Sequence, residues 1–146
     1  MLITSLKEHP EFKSDVAACF HTQWGPYYPE RSLQDWQESL NQKIIYIALE
    51  NKKLLGMVGL KKTDSPPFDS NQRLELAALY TKPACRNRGI GAGLIHYAMQ
   101  QAKQLGHDEL FLFTHGSGDL YKKLGWELFS EITYRNKQAY LFRKKT

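Results

Sequence analysis

The stretch Lys82-Pro83-Ala84-Cys85-Arg86-Asn87-Arg88-Gly89-Ile90-Gly91-Ala92-Gly93 separates two segments of different periodicity. Before it, Leu74 to Thr81 is an apolar run of strand length. After it, Leu94, Ile95, Ala98, Met99, Ala102 and Leu105 recur on one face of a helix that stops at Gly106. Leu110-Phe111-Leu112-Phe113 follows, too short for a helix and apolar at successive positions, which suits a strand buried on both faces of a sheet. Strand, helix and strand at these lengths predict a right-handed crossover, with strands 74–81 and 109–114 parallel.

Upstream, apolar residues at Phe12, Val16, Cys19 and Phe20, and again at Leu33, Trp36 and Leu40, predict two helices. The intervening Trp24-Gly25-Pro26-Tyr27-Tyr28-Pro29 is an aromatic loop, and Ser32 is a fitting N-cap for the second helix. Ile44 to Leu49, the polar turn 50–53 and Leu54 to Lys62 form a hairpin. Downstream come a short helix from Ser117 to Leu124 ending at Gly125, and strands over Trp126 to Tyr134 and Gln138 to Phe142. The basic end Arg143-Lys144-Lys145 is read as a solvated, frayed tail.

The chain has 146 residues, 42% hydrophobic and 12% aromatic, ordinary usage for a globular protein of one domain spanning 1–146. The longest apolar run, Ile44 to Leu49, is far below the ~20 residues of a membrane-spanning helix, so no membrane partner is expected. Without a basic region and long apolar stretch at the N-terminus, a cytoplasmic location is the expectation. Cys19 and Cys85 form no CxxC pair, and His9, His21, His96 and His107 have no ligand spacing, so neither a disulfide nor a metal site is expected. The net charge of +5 is scattered apart from Arg86/Arg88 and the C-terminal residues, and no recognition helix or aromatic-basic motif points to nucleic acid.

The glycine-rich turn is the candidate binding site. A helix start presents unpaired N–H groups and the positive end of the dipole, and Gly89 and Gly91 remove side chains that would hold a phosphate away. Arg86 and Arg88 add charge, so a pyrophosphate is the ligand this turn suits best. A dinucleotide GxGxxG starting at Gly89 would need glycine where Leu94 stands, and the Gly-Lys-Ser/Thr of a Walker motif is absent.

Arg86-x-x-Gly89-x-Gly91, with Pro83 and an apolar strand before it, resembles the acetyl-coenzyme A signature of the GNAT superfamily of N-acetyltransferases. Asp119-Leu120-Tyr121-Lys122-Lys123-Leu124-Gly125-Trp126 is similar to the family's Leu-Tyr-x-x-x-Gly-Phe segment, with Trp126 for the usual Phe. The family's order of elements matches the whole chain if Leu2 to Leu6 is the first strand. The resemblance implies an α/β fold of the α+β type: a mixed sheet of about seven strands, a parallel pair (74–81 and 109–114) that splays apart, and about four helices.

For this chain the resemblance implies a pyrophosphate on the backbone of Arg86, Asn87, Arg88, Gly89, Ile90, Gly91 and Ala92, and a pantetheine arm along Leu79, Tyr80 and Thr81. The Leu79 N–H would bond the acetyl carbonyl. Tyr121 matches the tyrosine whose hydroxyl meets the coenzyme sulfur; its alternative role is packing. An alkylammonium with pKa near ~10.4 must lose a proton before it attacks. Glu75 and His115 are the candidates to receive it; the alternatives are a solvent-facing strand residue and a loop cap.

The expected activity is acetyl-CoA dependent transfer to a primary amine by direct attack in a ternary complex, with no metal. The alternative is a non-catalytic acyl-CoA sensor of the same fold. The acceptor is a small-molecule amine or a peptide N-terminus, and the protein a monomer or homodimer. Trp24, Tyr27, Tyr28 and Trp36 are candidates for an aromatic wall against a cationic amine, with core the better reading for Trp36. Pro66-Pro67-Phe68 is a candidate cover for the cleft.

Overall fold

Two pairs of left-handed residues, Asn51 (φ 53°) with Lys52 (φ 61°) and Arg135 (φ 52°) with Asn136 (φ 64°), make tight turns on which hairpins of this sheet close. Positive φ at both central residues matches the right-handed twist of the flanking strands. In the computed structural model, which describes residues 1–62 and 73–146, these turns join β2 (Ile44–Glu50) to β3 (Lys53–Lys62) and β6 (Glu127–Tyr134) to β7 (Lys137–Lys145). The other strands are β1 (Leu2–Ser5), β4 (Leu74–Thr81) and β5 (Glu109–Thr114). The helices are α1 (Lys13–Trp24), α2 (Leu33–Ser39), α3 (Ile90–Gln104) and α4 (Asp119–Lys123).

The seven strands run in the order β1-β2-β3-β4-β5-β7-β6. β4 and β5 are parallel, with Leu74 opposite Leu110 and Glu75 opposite Phe111, while β1/β2, β5/β7 and β6/β7 are antiparallel. This is the expected mixed sheet with its parallel pair. Strands 74–81 and 109–114 have the bounds that their hydrophobic runs predict. Ser32 caps α2 as expected, in a box with Asp35: Asp35 N donates to Ser32 Oγ at 3.1 Å, and Ser32 N to Asp35 Oδ2 at 2.8 Å.

Four expectations need correction. The first strand stops at Ser5, whose hydroxyl accepts from Lys7 N and starts a 3-10 turn at Leu6. α1 continues through Trp24, so the break comes at Gly25-Pro26. α4 starts at Asp119 because Gly118 is left-handed (φ 77°), which no α-helix can continue through. The basic tail is not frayed: Arg143, Lys144 and Lys145 register with Phe111, Leu110 and Glu109 as the end of β7. Strand alternation sends Lys144 to the opposite face from its neighbours, where its ammonium donates to the Leu124 carbonyl at 2.8 Å, and Arg143 pairs with Glu127 at 3.2 Å. The Pro66-Pro67-Phe68 segment lies outside the described residues. Among those described, no helix is long and apolar enough to cross a membrane.

The chain divides into two compact units, Met1–Gly59 with Ala78–Ala98, and Leu60–Ala77 with Met99–Thr146. The core of the first gathers Val16, Phe20, Trp36, Ile47, Met57 and Tyr80. Gly56 is required there: a Cβ at this position would stand 2.5 Å from the Tyr80 carbonyl oxygen, so only glycine lets the two backbones approach. In the second unit, Phe111, Ala139 and Leu141 form a cluster with Phe113, Phe129, Ile132 and Tyr134.

Gly118 belongs to the second unit, and a Cβ there would meet Phe142 Cζ at 2.5 Å and Cε2 at 2.7 Å. Phe142 is fully buried and its ring has no room to swing away. Gly118→Ala combines this overlap with left-handed strain and is expected to cost about 3 kcal/mol. That loss lowers the thermal midpoint by roughly 5–10 °C in a chain of this size; an unchanged midpoint in a calorimetric scan would contradict the packing described.

Candidate active site

In the first unit, β4 loses its regular alternation at Ala78, a non-glycine residue with φ 57° inside a strand. Such backbone is costly for alanine and persists only where its surroundings impose it. Ala77, Ala78 and Leu79 are all half-buried in succession, and Tyr80 then returns to the core. The strand end is held by Lys82, whose N–H donates to the Leu55 carbonyl at 2.9 Å and whose ammonium meets Asp15 Oδ2 of α1 at 3.0 Å.

The turn that follows uses two left-handed residues, Asn87 (φ 65°) and Gly89 (φ 78°), to reverse the chain into α3. The first backbone hydrogen bond of that helix runs from Gly93 N to the Gly89 carbonyl at 3.0 Å. The amides of Gly89, Ile90, Gly91 and Ala92 lie before it, on the side where a helix has no internal acceptors for its N–H groups. A Cβ on Gly89 would meet nothing within 4 Å.

The two arginines are engaged in different ways. Arg86 Nε donates to the Thr81 carbonyl at 3.0 Å, and its guanidinium lies 5.8 Å from the Tyr80 ring centroid. Arg88 Nη2 donates to Glu50 Oε2 at 2.6 Å, so its charge is shared with a carboxylate at the end of β2. The structure thus brings Leu79, Tyr80, Thr81 and residues 86–92 into one continuous strand-turn-helix segment.

The second unit holds Glu75, His115 and Tyr121. Tyr121 packs edge-on to Trp126 at 6.1 Å and tilted against Phe142 at 5.8 Å. Its carbonyl accepts from Trp126 N at 2.9 Å, which closes the end of α4. Burial pushes the phenol up from its ordinary value near 10 to about 12.

Glu75 is only 3% exposed, which overturns its reading as a solvent-facing strand residue. Its register partner Phe111 shares its face of the sheet. His115 Nδ1 lies 3.0 Å from the Gln138 carbonyl oxygen. A carbonyl only accepts, so Nδ1 carries the hydrogen and Nε2 is the basic nitrogen of the neutral ring. The imidazole stacks on Tyr134 (6.2 Å, 4°) and meets the edge of Phe113 (5.9 Å, 84°).

Register arithmetic separates these groups. His115 is four residues beyond Phe111, about 13 Å along the strand direction, so Glu75 and His115 do not converge on one atom. Both belong to the Phe111–Phe113 face. Phe142, against which Tyr121 packs, registers with Leu112 and so belongs to the opposite face. The unit therefore carries the Tyr121 phenol on one side of the sheet and the Glu75 carboxyl and His115 imidazole on the other.

The aromatic loop is differently occupied from what its sequence suggests. Trp36 is buried, as expected, and Tyr28 packs on it edge-on at 5.8 Å. Arg31 lies over both rings, 4.2 Å from the Tyr28 centroid and 4.9 Å from that of Trp36. Both cysteines are free thiols; burial, with Asp15 nearby, pushes the Cys19 thiol up. No three His, Cys, Asp or Glu side chains are placed to hold a metal ion among the described residues. Asp15, Gly56, Ala78 and Arg31 escape sequence reasoning: their roles are tertiary contacts and a backbone conformation without a sequence signal.

Comparison with protein-family models matches residues 9–126 to the acetyltransferase (GNAT) family. Comparison with curated proteins gives no match. Among solved structures, an aminoglycoside 6'-acetyltransferase type Ii superposes with a TM-score of 0.80 at 21% identity, over 99% of this chain and 97% of that one. An aminoglycoside 6'-N-acetyltransferase complexed with coenzyme A gives 0.80 at 18% identity with the same coverage. Ribosomal-protein-alanine N-acetyltransferase from Brucella melitensis gives 0.81 at 17% identity, over 100% of both chains. At these identities the structural likeness shows a shared fold.

The Tyr121 phenol makes stability depend on pH at the alkaline end. In the unfolded chain it ionises near ~10, and in the folded chain at about 12. Between these values the unfolded state gives up a proton that the folded state keeps, so this phenol's contribution to stability falls as pH rises through that window. Tyr121→Phe is expected to flatten the decline and to remove a late-titrating phenolate from the ultraviolet absorbance titration; a variant with an identical titration curve would contradict the burial.

Proposed function

The chain belongs to the GNAT acetyltransferase family, and from that premise we propose that it moves the acetyl group of acetyl-coenzyme A to a primary amine by direct attack in a ternary complex. The observation that carries this reading is the turn from Arg86 to Ala92. Left-handed Asn87 and Gly89 place four amides before the first helical hydrogen bond of α3. N–H groups so placed, with the positive end of the helix dipole, suit the pyrophosphate of the coenzyme.

In the reaction, the amine nitrogen bonds to the acetyl carbon and the carbon–sulfur bond breaks. The Leu79 N–H donates to the carbonyl oxygen as it gains charge, an interaction commonly worth ~3 kcal/mol. The ammonium proton is assigned through water to Glu75, buried on β4. His115, whose Nδ1 meets the Gln138 carbonyl, is the alternative acceptor.

Tyr121 meets the sulfur. A phenol with pKa about 12 does not surrender its proton to a thiolate whose conjugate acid lies near ~8.5, since that transfer is uphill by roughly 5 kcal/mol. Its role is then a hydrogen bond that stabilises the leaving thiolate, not proton transfer.

Two experiments separate binding from chemistry. Gly91 is not among the left-handed glycines, so a side chain there carries no left-handed strain. Gly91→Val is expected to weaken coenzyme A binding at least about tenfold by calorimetry, with the thermal midpoint kept; unchanged affinity would refute the turn as the pyrophosphate site. Tyr121→Phe is expected to lower kcat on the order of 10²-fold with coenzyme affinity retained. An unaltered kcat would return Tyr121 to packing.

A further inference from the structure

We propose that Glu50 governs how tightly the coenzyme is held: in the free protein its carboxylate occupies Arg88, and binding exchanges that carboxylate for a phosphate group of the coenzyme. This goes beyond the acetyl-transfer reading but rests on its assignment of the turn. Glu50 and Arg88 both belong to the first unit, and Arg88 Nη2 donates to Glu50 Oε2 at 2.6 Å.

The two arginines of the turn are not equivalent. Arg86 is held twice by β4, through the Thr81 carbonyl at 3.0 Å and through the Tyr80 ring, 5.8 Å from its guanidinium. Arg88 stands at one of the unspecified positions of Arg86-x-x-Gly89, between the left-handed residues Asn87 and Gly89. Its backbone is thereby set just ahead of the amides that precede the first hydrogen bond of α3. Beside it, a Cβ on Gly89 would meet nothing within 4 Å, so the turn is open there.

The partner is presented from a hairpin end. Glu50 is the last residue of β2, and Asn51 and Lys52 after it are the left-handed centre of the turn into β3. An ion pair between side chains that are 48% and 38% exposed is solvated and holds weakly. The contact to Glu50 engages Nη2. A phosphate can take two N–H groups of the guanidinium fork and offers more charge, so it is the stronger partner. The exchange still costs Glu50 its cation, and the coenzyme binds more weakly by that amount. Acetyl-CoA and spent coenzyme A have the same phosphates, so Glu50 weakens both alike, and on release its carboxylate takes Arg88 back.

The test is calorimetric titration with coenzyme A at low ionic strength, on the unaltered chain, Glu50→Gln, Arg88→Gln and the double variant. Glu50→Gln is expected to tighten binding about threefold to tenfold, and Arg88→Gln to weaken it by a similar factor. In the Arg88→Gln background, Glu50→Gln is expected to leave affinity unchanged, because its effect passes through that guanidinium. Titration with 3'-dephospho-coenzyme A identifies the phosphate: a gain from Glu50→Gln that persists assigns Arg88 to the pyrophosphate, and one that disappears assigns it to the 3'-phosphate. Weaker or unchanged binding by Glu50→Gln would overturn the inference. So would an equal gain in the Arg88→Gln background, which would reduce Glu50 to a distant charge. An unaltered chain that binds no coenzyme A would overturn the reading of the turn itself.

Discussion

Ala78 holds left-handed backbone in the middle of a strand, and the geometry of the candidate site follows from that constraint. An alanine in this region costs on the order of 1–2 kcal/mol, which the surroundings must offset. They do so on both sides. Gly56 gives up its side chain so that its backbone can approach the Tyr80 carbonyl, and Lys82 ties the strand end to Leu55 and Asp15. Between these anchors Ala77, Ala78 and Leu79 are half-buried in succession. In the turn into α3, Asn87 and Gly89 supply the left-handed residues that reverse the chain.

The second unit divides the chemistry by sheet face. Tyr121 is buried against Phe142 and Trp126, in surroundings that penalise its ionised form. Glu75 and His115 are on the face of Phe111 and Phe113, where register keeps them apart. Burial raises this phenol to about 12 and so keeps it protonated at neutral pH.

Much of the fold was legible in the sequence because hydrophobic period reports local structure directly. The runs at 74–81 and 109–114 end where their strands end, and α3 shows its apolar face through Leu94, Ile95, Ala98 and Ala102, all buried. The turn glycines were legible for the same reason, since left-handed backbone has a residue preference. Ala78 breaks that preference and left no trace. Arg143 to Lys145 look like a solvated tail until the β5 register pairs them, and three charges in a row conceal a strand whose alternation appears only against its neighbour. The burial of Glu75, the Arg88–Glu50 pair and the placement of Arg31 over two rings are long-range contacts, which periodicity cannot report.

The central claim is that the backbone from Arg86 to Ala92, with Leu79, holds the coenzyme. Titration of the isotope-labelled chain with coenzyme A, followed by amide chemical shifts, tests it residue by residue. The amides of Gly89, Ile90, Gly91, Ala92 and Leu79 are expected to move most and to saturate together. Saturable shifts confined to other residues, with these amides unmoved, would contradict it.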